Sequence, residues 1–189
     1  MNILYLIDPN SLHDIKWAKF FSTQVDYNCY FICRKQHYSK QIVSEVQTKY
    51  SLTFLSKIDY FSIRKPIGTI KQLLLVLRII KIHQIDIFHI QFGEPNALWA
   101  VCRSLLRIPI VITCRGTDVL KTIPDHFSKK DLFNKVISWL YQKSFQKADW
   151  VTVTSKNQWE SIHKFSGRIK NYSIIRTGVD VDELTKNTS

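Results

Sequence analysis

The feature that most constrains the fold is a regular alternation between short apolar runs and longer helical patterns. Runs with the length of buried strands cover residues 2–7, 27–33, 52–55, 85–90, 109–113, 150–154 and 173–175. Helical patterns lie at 12–24, 39–49, 69–84, 96–106, 132–147 and 158–165. This spacing is typical of a parallel sheet with right-handed crossovers. We therefore predict an α/β fold, a Rossmann-like doubly wound parallel sheet of about seven strands with helices on both faces.

The domain organisation follows from the length and from the last apolar run. A chain of 189 residues fits one domain with a large buried core. Its last apolar run leads into a turn at Gly178 and then into acidic residues, which is how a further domain often begins. We predict a Rossmann-like N-terminal domain over 1–184 and a truncated linker over 185–189, leading to a second domain outside this sequence.

The net charge of +12 favours an acidic partner, such as an anionic membrane surface, a phosphorylated ligand or nucleic acid. The basic residues are spread along the chain without a long basic run, which argues against nucleic acid. Two helical patterns, 69–84 and 132–147, carry several of them. Each pattern has two interpretations: docking on an anionic bilayer, or an apolar stripe facing the core with a solvated outer face.

The cysteines and the apolar runs bear on the cellular compartment. The four cysteines show neither Cys-x-x-Cys nor zinc spacing, and Cys29 and Cys33 share one face of the second predicted strand. We expect reduced core residues and no metal site. The longest apolar run, 73–77, is far too short to span a bilayer, and no signal-length run precedes the first strand. We expect a cytoplasmic protein, with peripheral attachment to the inner face of the membrane if its basic helices dock there.

Polar residues follow the predicted strands at one edge of the sheet. Ligands of open parallel sheets bind beyond the carboxyl ends of the strands, so these residues are candidates for a crevice. Taken singly, several have structural explanations, because Asn10 and Asp118 also suit turns or caps and His89 suits the core. Taken together they favour a binding site. The candidates are Asn10, His13, His89, Gln91, Glu94, Arg115, Gly116, Thr117 and Asp118.

The start of the first helix has the pattern of a capping box. We expect the Ser11 hydroxyl to accept from the backbone N–H of Asp14, and the Asp14 carboxylate to reach back toward the helix start. Several familiar motifs are missing from the sequence. It contains no Gly-x-Gly-x-x-Gly, no P-loop, no Gly-x-Ser-x-Gly and no His-Glu-x-x-His, so we expect neither a dinucleotide cofactor nor P-loop, serine-elbow or zincin chemistry.

Four segments together resemble the N-terminal, acceptor-side domain of a GT-B glycosyltransferase of the family 4 (group 1) type. Residues 11–18 are similar to Ser-x-His-x-x-Arg-Trp-Ala, and 85–91 to Pro-Asp-Ile-Val-His-Ala-His. Residues 110–119 are similar to Val-Val-x-Thr-x-His-Gly-Ser-Asp-Val. Residues 148–155 and 174–180 are similar to Ala-Asp-x-Val-Ile-x-x-Ser and Ile-Ile-Pro-Asn-Gly-Val-Asp. The specificity lies in their order, which spans 2–184.

The resemblance implies two Rossmann-like domains that face each other across a cleft, with the second domain binding a nucleotide-sugar donor. It implies a glycosyltransferase of the retaining type that most members of this family have, which uses no cofactor or essential metal. Its acceptor would be a glycan or a lipid-linked molecule in polysaccharide or cell-envelope biosynthesis. It places His13 and Lys16 at the acceptor loop, and Arg115, Gly116 and Asp118 near the transferred sugar and its diphosphate. Arg115 and Asp118 are then the catalytic candidates. An isolated N-terminal fragment should be inactive.

The chain departs from the family pattern at several of these positions. Arg115 stands where a histidine is usual, and a guanidinium pairs well with a diphosphate but is a poor proton shuttle. Gln91 replaces the second histidine, and Pro9-Asn10 replaces a glycine pair. A second hypothesis therefore stays open, namely a non-catalytic α/β domain that binds an anionic or phosphorylated ligand or a membrane surface.

Overall fold

The computed structural model describes residues 1–50 and 52–176, which contain a seven-stranded parallel sheet. The strand order is β3-β2-β1-β4-β5-β6-β7, and each neighbouring pair is parallel. The strands are β1 (Asn2–Ile7), β2 (Asn28–Arg34), β3 (Thr53–Ile58), β4 (Ile87–Gln91), β5 (Ile110–Thr113), β6 (Trp150–Val153) and β7 (Tyr172–Ile174). The predicted seven-stranded Rossmann-like sheet is confirmed.

Seven α-helices connect these strands within the described residues. They are α1 (Leu12–Ser22), α2 (Lys40–Tyr50), α3 (Pro66–Ile82), α4 (Arg103–Leu106), α5 (Ile123–Ser128), α6 (Leu132–Lys147) and α7 (Lys156–Ser166). Ser11 accepts from the Asp14 N–H at the start of α1, as predicted, and Ser155 accepts from the Gln158 N–H at the start of α7. These caps satisfy donors that helix starts otherwise leave unpaired.

The structure departs from the predicted elements in two places. The helix predicted over 96–106 is mostly a 3₁₀ helix, Asn96–Cys102, and only its last turn is α-helical. The stretch after β5 was not predicted to be regular, yet it forms a π-helical turn, Asp118–Thr122, that runs into α5. Over so few residues, apolar periodicity does not distinguish a 3₁₀ or π segment from an α-helix or an irregular loop. The predicted linker 185–189 and the acidic residues before it lie outside the described residues.

The two faces of the sheet carry different layers. α1 and α2 pack on the face that includes Tyr5 of β1. α3, α6 and α7 pack on the opposite face, which includes Leu6. β1 is buried along nearly its whole length because layers lie on both of its faces, which explains its near-continuous apolar sequence. The prediction of helices on both faces is therefore confirmed.

The parallel strands bring the loops after β1, β2, β4 and β5 to one edge of the sheet, called the rim below.

The four cysteines are free and buried, as the sequence predicted. Among the described residues, no helix combines the length and the hydropathy that crossing a bilayer requires.

Candidate functional site

The floor of the rim is organised by the fully buried carboxylate of Asp118. Its Oδ2 accepts a hydrogen bond from the backbone N–H of Gly93 at 2.7 Å. Its Oδ1 accepts from the N–H of Gly116 at 2.8 Å and of Val119 at 3.0 Å, and the Arg115 N–H reaches both oxygens. One carboxylate thus ties the loop after β4 to the loop after β5.

Two glycines allow these loops to approach the carboxylate. A Cβ on Gly93 would lie 2.9 Å from Asp118 Oδ2, closer than real Cβ atoms come to oxygen. Gly116 has φ of +128°, which L side chains rarely adopt. Gly116 was predicted to bind substrate, and what it contributes here is backbone geometry and one N–H to the buried carboxylate.

Arg115 lies above this floor and has unused hydrogen-bonding capacity. Its Nη2 donates to Gln91 Oε1 at 2.6 Å and lies 3.4 Å from Asp14 Oδ1. Among the described residues, no partner is found for its buried Nε and Nη1. The Trp17 ring covers the guanidinium at 5.8 Å. Burial lowers the pKa of Arg115, but the neighbouring Asp14 and Asp118 carboxylates oppose that shift.

Asp14 has a second role beside the one that its capping pattern predicts. Its Oδ2 accepts from the Asp8 N–H at 2.8 Å and its Oδ1 faces Arg115, 101 positions along the chain. Burial raises its pKa, and hydrogen bonding from Asp8 and the charge of Arg115 act in the opposite direction. The predicted reach back to the helix start is observed, since Asp14 Oδ1 also accepts from the Ser11 hydroxyl at 3.2 Å, and the same carboxylate serves in addition as the counter-ion of the rim arginine.

His89 lies behind Arg115, among aromatic rings. Its ring centroid is 5.1 Å from that of Tyr5 and 6.1 Å from that of Trp17. Arg115 donates to the oxygen of Gln91, so the Gln91 amide nitrogen faces His89 Nε2 at 3.2 Å and must donate to it. Burial and the charge of Arg115 lower the pKa of His89 to about 3. His89, predicted to bind substrate, is thus a neutral support for Gln91.

The acceptor-loop candidates lie on the other side of Trp17. His13 and Lys16 line a groove of about 560 Å³ beside α1. Its walls are otherwise mainly apolar, formed by Trp17, Phe20, Phe21 and Ile175 with Arg176 at one end. Trp17 contacts both this groove and the guanidinium of Arg115, so the groove adjoins the rim network.

Glu94 belongs to a third group of side chains, toward β2 and α6. Burial raises its pKa, and the charges of His126 and Arg34 oppose the shift. Arg34 comes from the end of β2, and its Nη2 lies 3.1 Å from His37 Nε2. Its buried Nε has no partner among the described residues. Neither Arg34 nor His126 was a candidate from sequence, because Arg34 ends an ordinary strand pattern and His126 lies in the unpredicted α5.

The last two candidates mainly support the loops in which they lie. Asn10 donates from its backbone and side chain to Asp8 Oδ1, at 2.9 and 3.0 Å, which is a turn interaction, and its side chain also donates to the His37 carbonyl at 3.3 Å. Thr117 is exposed, and its carbonyl accepts from the Thr122 hydroxyl. Within residues 1–50 and 52–176, His, Cys, Asp and Glu do not gather in groups of three or more that could hold a metal ion.

Comparison with known families gives this rim its context. Residues 2–155 match the model of the family described as Glycosyl transferase 4-like. The chain belongs to this family. The resemblance to an N-terminal GT-B domain, first seen in four sequence segments, is thereby confirmed. No curated protein sequence matches the chain significantly.

Solved structures share the fold of this glycosyl transferase 4-like chain at low sequence identity. Anabaena Alr3699/HepE in complex with UDP-glucose has a TM-score of 0.67 at 15% identity, and the match covers 96% of this chain and 45% of HepE. Phytolacca americana UGT2, complexed with UDP-2fluoro-glucose and pterostilbene, has a TM-score of 0.61 at 8% identity, with coverages of 98% and 56%. The chain thus spans about half the length of the structures it matches.

The same fold also occurs in a neighbour with a different printed activity. A putative UDP-N-acetylglucosamine 2-epimerase from Listeria monocytogenes has a TM-score of 0.59 at 8% identity, and the match covers 88% of this chain and 43% of that one. These likenesses therefore show the fold of the glycosyl transferase 4-like chain. Its chemistry has to be argued from its own rim.

Proposed function

We propose that the chain is the acceptor-side domain of a two-domain glycosyltransferase. The enzyme would move a sugar, a hexose in the simplest case, from a nucleotide-sugar donor to a glycan or lipid-linked acceptor in polysaccharide or cell-envelope biosynthesis. The supporting observation is that the buried Nε and Nη1 of Arg115 have no partner within residues 1–50 and 52–176. A buried donor without a partner costs about 1 to 3 kcal/mol, and the oxygens of a diphosphate would satisfy both once Trp17 gives way.

In the proposed reaction the bond between the anomeric carbon and the diphosphate breaks, the acceptor oxygen bonds to that carbon, and the proton of the acceptor hydroxyl passes to the departing diphosphate. Arg115 would stabilise the negative charge that grows on the leaving diphosphate, since charge stabilisation is usually the largest catalytic contribution. His13, Lys16 and Glu94 would contact the acceptor. Asp118 is a positioning residue in this proposal, because its oxygens are occupied by backbone donors. Family resemblance favours retention of configuration.

A second domain would supply the donor pocket. HepE was solved with UDP-glucose, and this chain matches less than half of it. We propose that residues 1–184 form the acceptor domain, that 185–189 begin the linker, and that the chain alone is inactive. A natural reading frame that stops near Ser189 would overturn this part of the proposal. A cytoplasmic location is proposed with it, and four free, buried cysteines agree with a reducing compartment.

The experiment that tests the proposal replaces Arg115 in the full-length protein. Arg115→Ala should lower kcat/KM by at least about tenfold, because the leaving charge loses its partner. The measurement is release of nucleoside diphosphate from a panel of nucleotide sugars, with lipid extract and oligosaccharides as acceptors. Arg168→Ala removes an exposed arginine before β7 and serves as the matched control.

Two results would count against the proposal. Equal turnover of Arg115→Ala and Arg168→Ala would remove Arg115 from the mechanism. Conversion of a UDP-sugar to an epimer, without transfer to any acceptor, would replace glycosyl transfer with the activity printed for the Listeria neighbour.

A further inference from the structure

The outward face of α3 carries apolar and basic side chains side by side. Its inner face is accounted for by the core, where Val76 and Ile79 are buried. The outer positions recur at helical spacing and are nevertheless apolar, with Ile67 71%, Ile70 57%, Leu74 59% and Ile82 60% exposed. A solvated helix face normally carries polar residues at such positions. The remaining outward side chains are the exposed Lys71, Arg78 and Lys81, and residues 64–82 contain no Asp or Glu.

α6 repeats this arrangement. Ile137, Leu140 and Phe145 face the core, whereas Leu132 is 78% and Trp139 53% exposed. Leu132, Val136, Trp139 and Lys143 follow one another at intervals of four, three and four residues, so they share one stripe. Lys135 is exposed beside the stripe, and Lys129 and Lys130 precede the helix. The outer face of α6 therefore exposes large apolar side chains beside its basic ones.

The two faces point away from the same side of the sheet. α3 and α6 pack on one core, and both begin near the rim because each returns from the carboxyl end of a parallel strand. Their starts are linked, since the Arg64 guanidinium lies 3.8 Å from the centre of the Phe133 ring. The segment between them lies deeper, with Trp99 fully buried against Phe61. These outward residues of α3 and α6, with Arg64, Lys65, Lys129 and Lys130, form the α3–α6 surface.

We propose that the α3–α6 surface docks on an anionic lipid bilayer. Basic side chains flank exposed Ile, Leu and Trp, and this is the composition that lets a helix lie in the headgroup region with its apolar residues inserted. Trp139 suits the interface, where indole rings concentrate. The basic residues complement phospholipid charge, and Asp131 is the single acidic residue within 129–143. Nucleic acid would use the charge but leave the apolar side chains in water.

Docking does not depend on the proposed glycosyl transfer, but it would serve it. Both helices begin near the rim, so a bilayer against the α3–α6 surface would hold the rim close to the headgroups. An acceptor linked to a lipid would then present its sugar beside Arg115 and the α1 groove. This consequence, unlike the docking itself, rests on the proposed function.

The test measures how the full-length protein partitions onto vesicles during sedimentation. Vesicles of phosphatidylcholine and phosphatidylglycerol in equal parts should bind it, phosphatidylcholine alone should bind it far less, and high salt should weaken the binding. The double variant K71E/R78E should bind at least about tenfold more weakly, since each basic residue near such a surface contributes to attachment. L74S/W139S should weaken binding at low and high salt alike, because it removes inserted apolar area.

Matched controls lie on the opposite face of the sheet. K40E/K49E makes the same charge change on α2, and Leu12→Ser removes an apolar side chain of similar exposure on α1. Equal losses in the controls, equal binding to neutral vesicles, or unchanged binding of both α3–α6 variants would overturn the proposal. So would retention of duplex DNA in place of vesicles. Release of nucleoside diphosphate without vesicles is measured on the same variants, and a failure of catalysis is thereby distinguished from a failure of docking.

Discussion

Asp118 and Arg115 lie three residues apart at the end of β5, yet they differ in how far their hydrogen bonding is satisfied. The carboxylate of Asp118 is fully buried and both of its oxygens accept from backbone N–H groups. The guanidinium of Arg115 is also largely buried, but two of its nitrogens have no partner among the described residues. The floor of the rim, formed by Asp118, therefore has its hydrogen bonds satisfied within the protein. The mouth of the rim, by which we mean Arg115 and the side chains around it, keeps two donors without partners among the described residues and can still bind a ligand.

The difference separates residues that build a site from residues that act in it. Buried polar groups are normally paired, so a saturated carboxylate is accounted for by folding. A buried guanidinium with two nitrogens that lack partners among the described residues calls for a further explanation. The resemblance named both as catalytic candidates, and local geometry distinguishes them. Changes at the floor should therefore alter stability first, and changes at the mouth should alter activity first.

The largest stability effect is expected from Asp118→Asn. The amide replaces one accepting oxygen with a donor that faces backbone N–H groups, and at least one of them loses its partner. We expect a loss of about 3 kcal/mol in the free energy of unfolding, measured by urea denaturation. Asp131→Asn makes the same chemical change at the exposed N-cap of α6, where asparagine caps equally well, and should be nearly silent. Equal effects at the two sites would contradict the role of Asp118 as the link between the loops.

A smaller effect is expected when the close approach to the carboxylate is blocked. Gly93→Ala places a Cβ against Asp118 Oδ2 and should cost about 2 kcal/mol, because neither the buried carboxylate nor the strand end can move freely. Gly68→Ala is the control of opposite sign. That glycine lies in α3, its added Cβ meets only the Lys65 Cβ at 3.8 Å, and alanine is the better helix former. The midpoint of thermal unfolding should fall for Gly93→Ala and rise for Gly68→Ala. A midpoint that rises for both variants would exclude the steric explanation.

The sequence predicted the sheet well because buried parallel strands appear as near-continuous apolar runs. β1 and β4 are apolar runs with layers on both faces, and the residues that follow them fall at the rim by topology alone. The same reasoning could not separate Asn10, which completes a local turn, from Glu94, which lies in a charged group. That distinction depends on which loop residues meet across the rim.

Long-range pairs account for most of what the sequence did not reveal. Asp14 was interpreted as half of a capping box, and no local pattern pairs it with Arg115, 101 positions away. Arg34 ends a strand like any exposed basic residue, and its charge acts on Glu94, which lies in the loop after β4. The outer faces of α3 and α6 are a further case, because an apolar residue on a helix predicts burial until the structure shows which face the core uses.

The smallest predicted effect tests how His89 supports Gln91, the residue that holds Arg115. His89 keeps a pKa of about 3 in the folded chain, against about 6.5 for an unperturbed histidine. Between these values the unfolded chain binds a proton that the folded chain does not, so stability falls as the pH falls through this window. From pH 7.5 to 5.5, His89 should contribute a loss of about 1.4 kcal/mol that His89→Gln lacks. His163→Gln, on the exposed side of α7, controls for the removal of a histidine.

The same support has a spectroscopic signature that does not depend on folding energy. Gln91 donates to Nε2 of His89, so the ring should be neutral with its proton on Nδ1 throughout that pH range. Nitrogen-15 chemical shifts of the imidazole report this directly. A protonated ring at pH 5.5, or a pH slope equal in His89→Gln and the parent, would mean that Gln91 is turned the other way. Arg115 would then lose its hydrogen bond to the Gln91 oxygen. The difference between a satisfied Asp118 and a partly satisfied Arg115 would no longer describe this site.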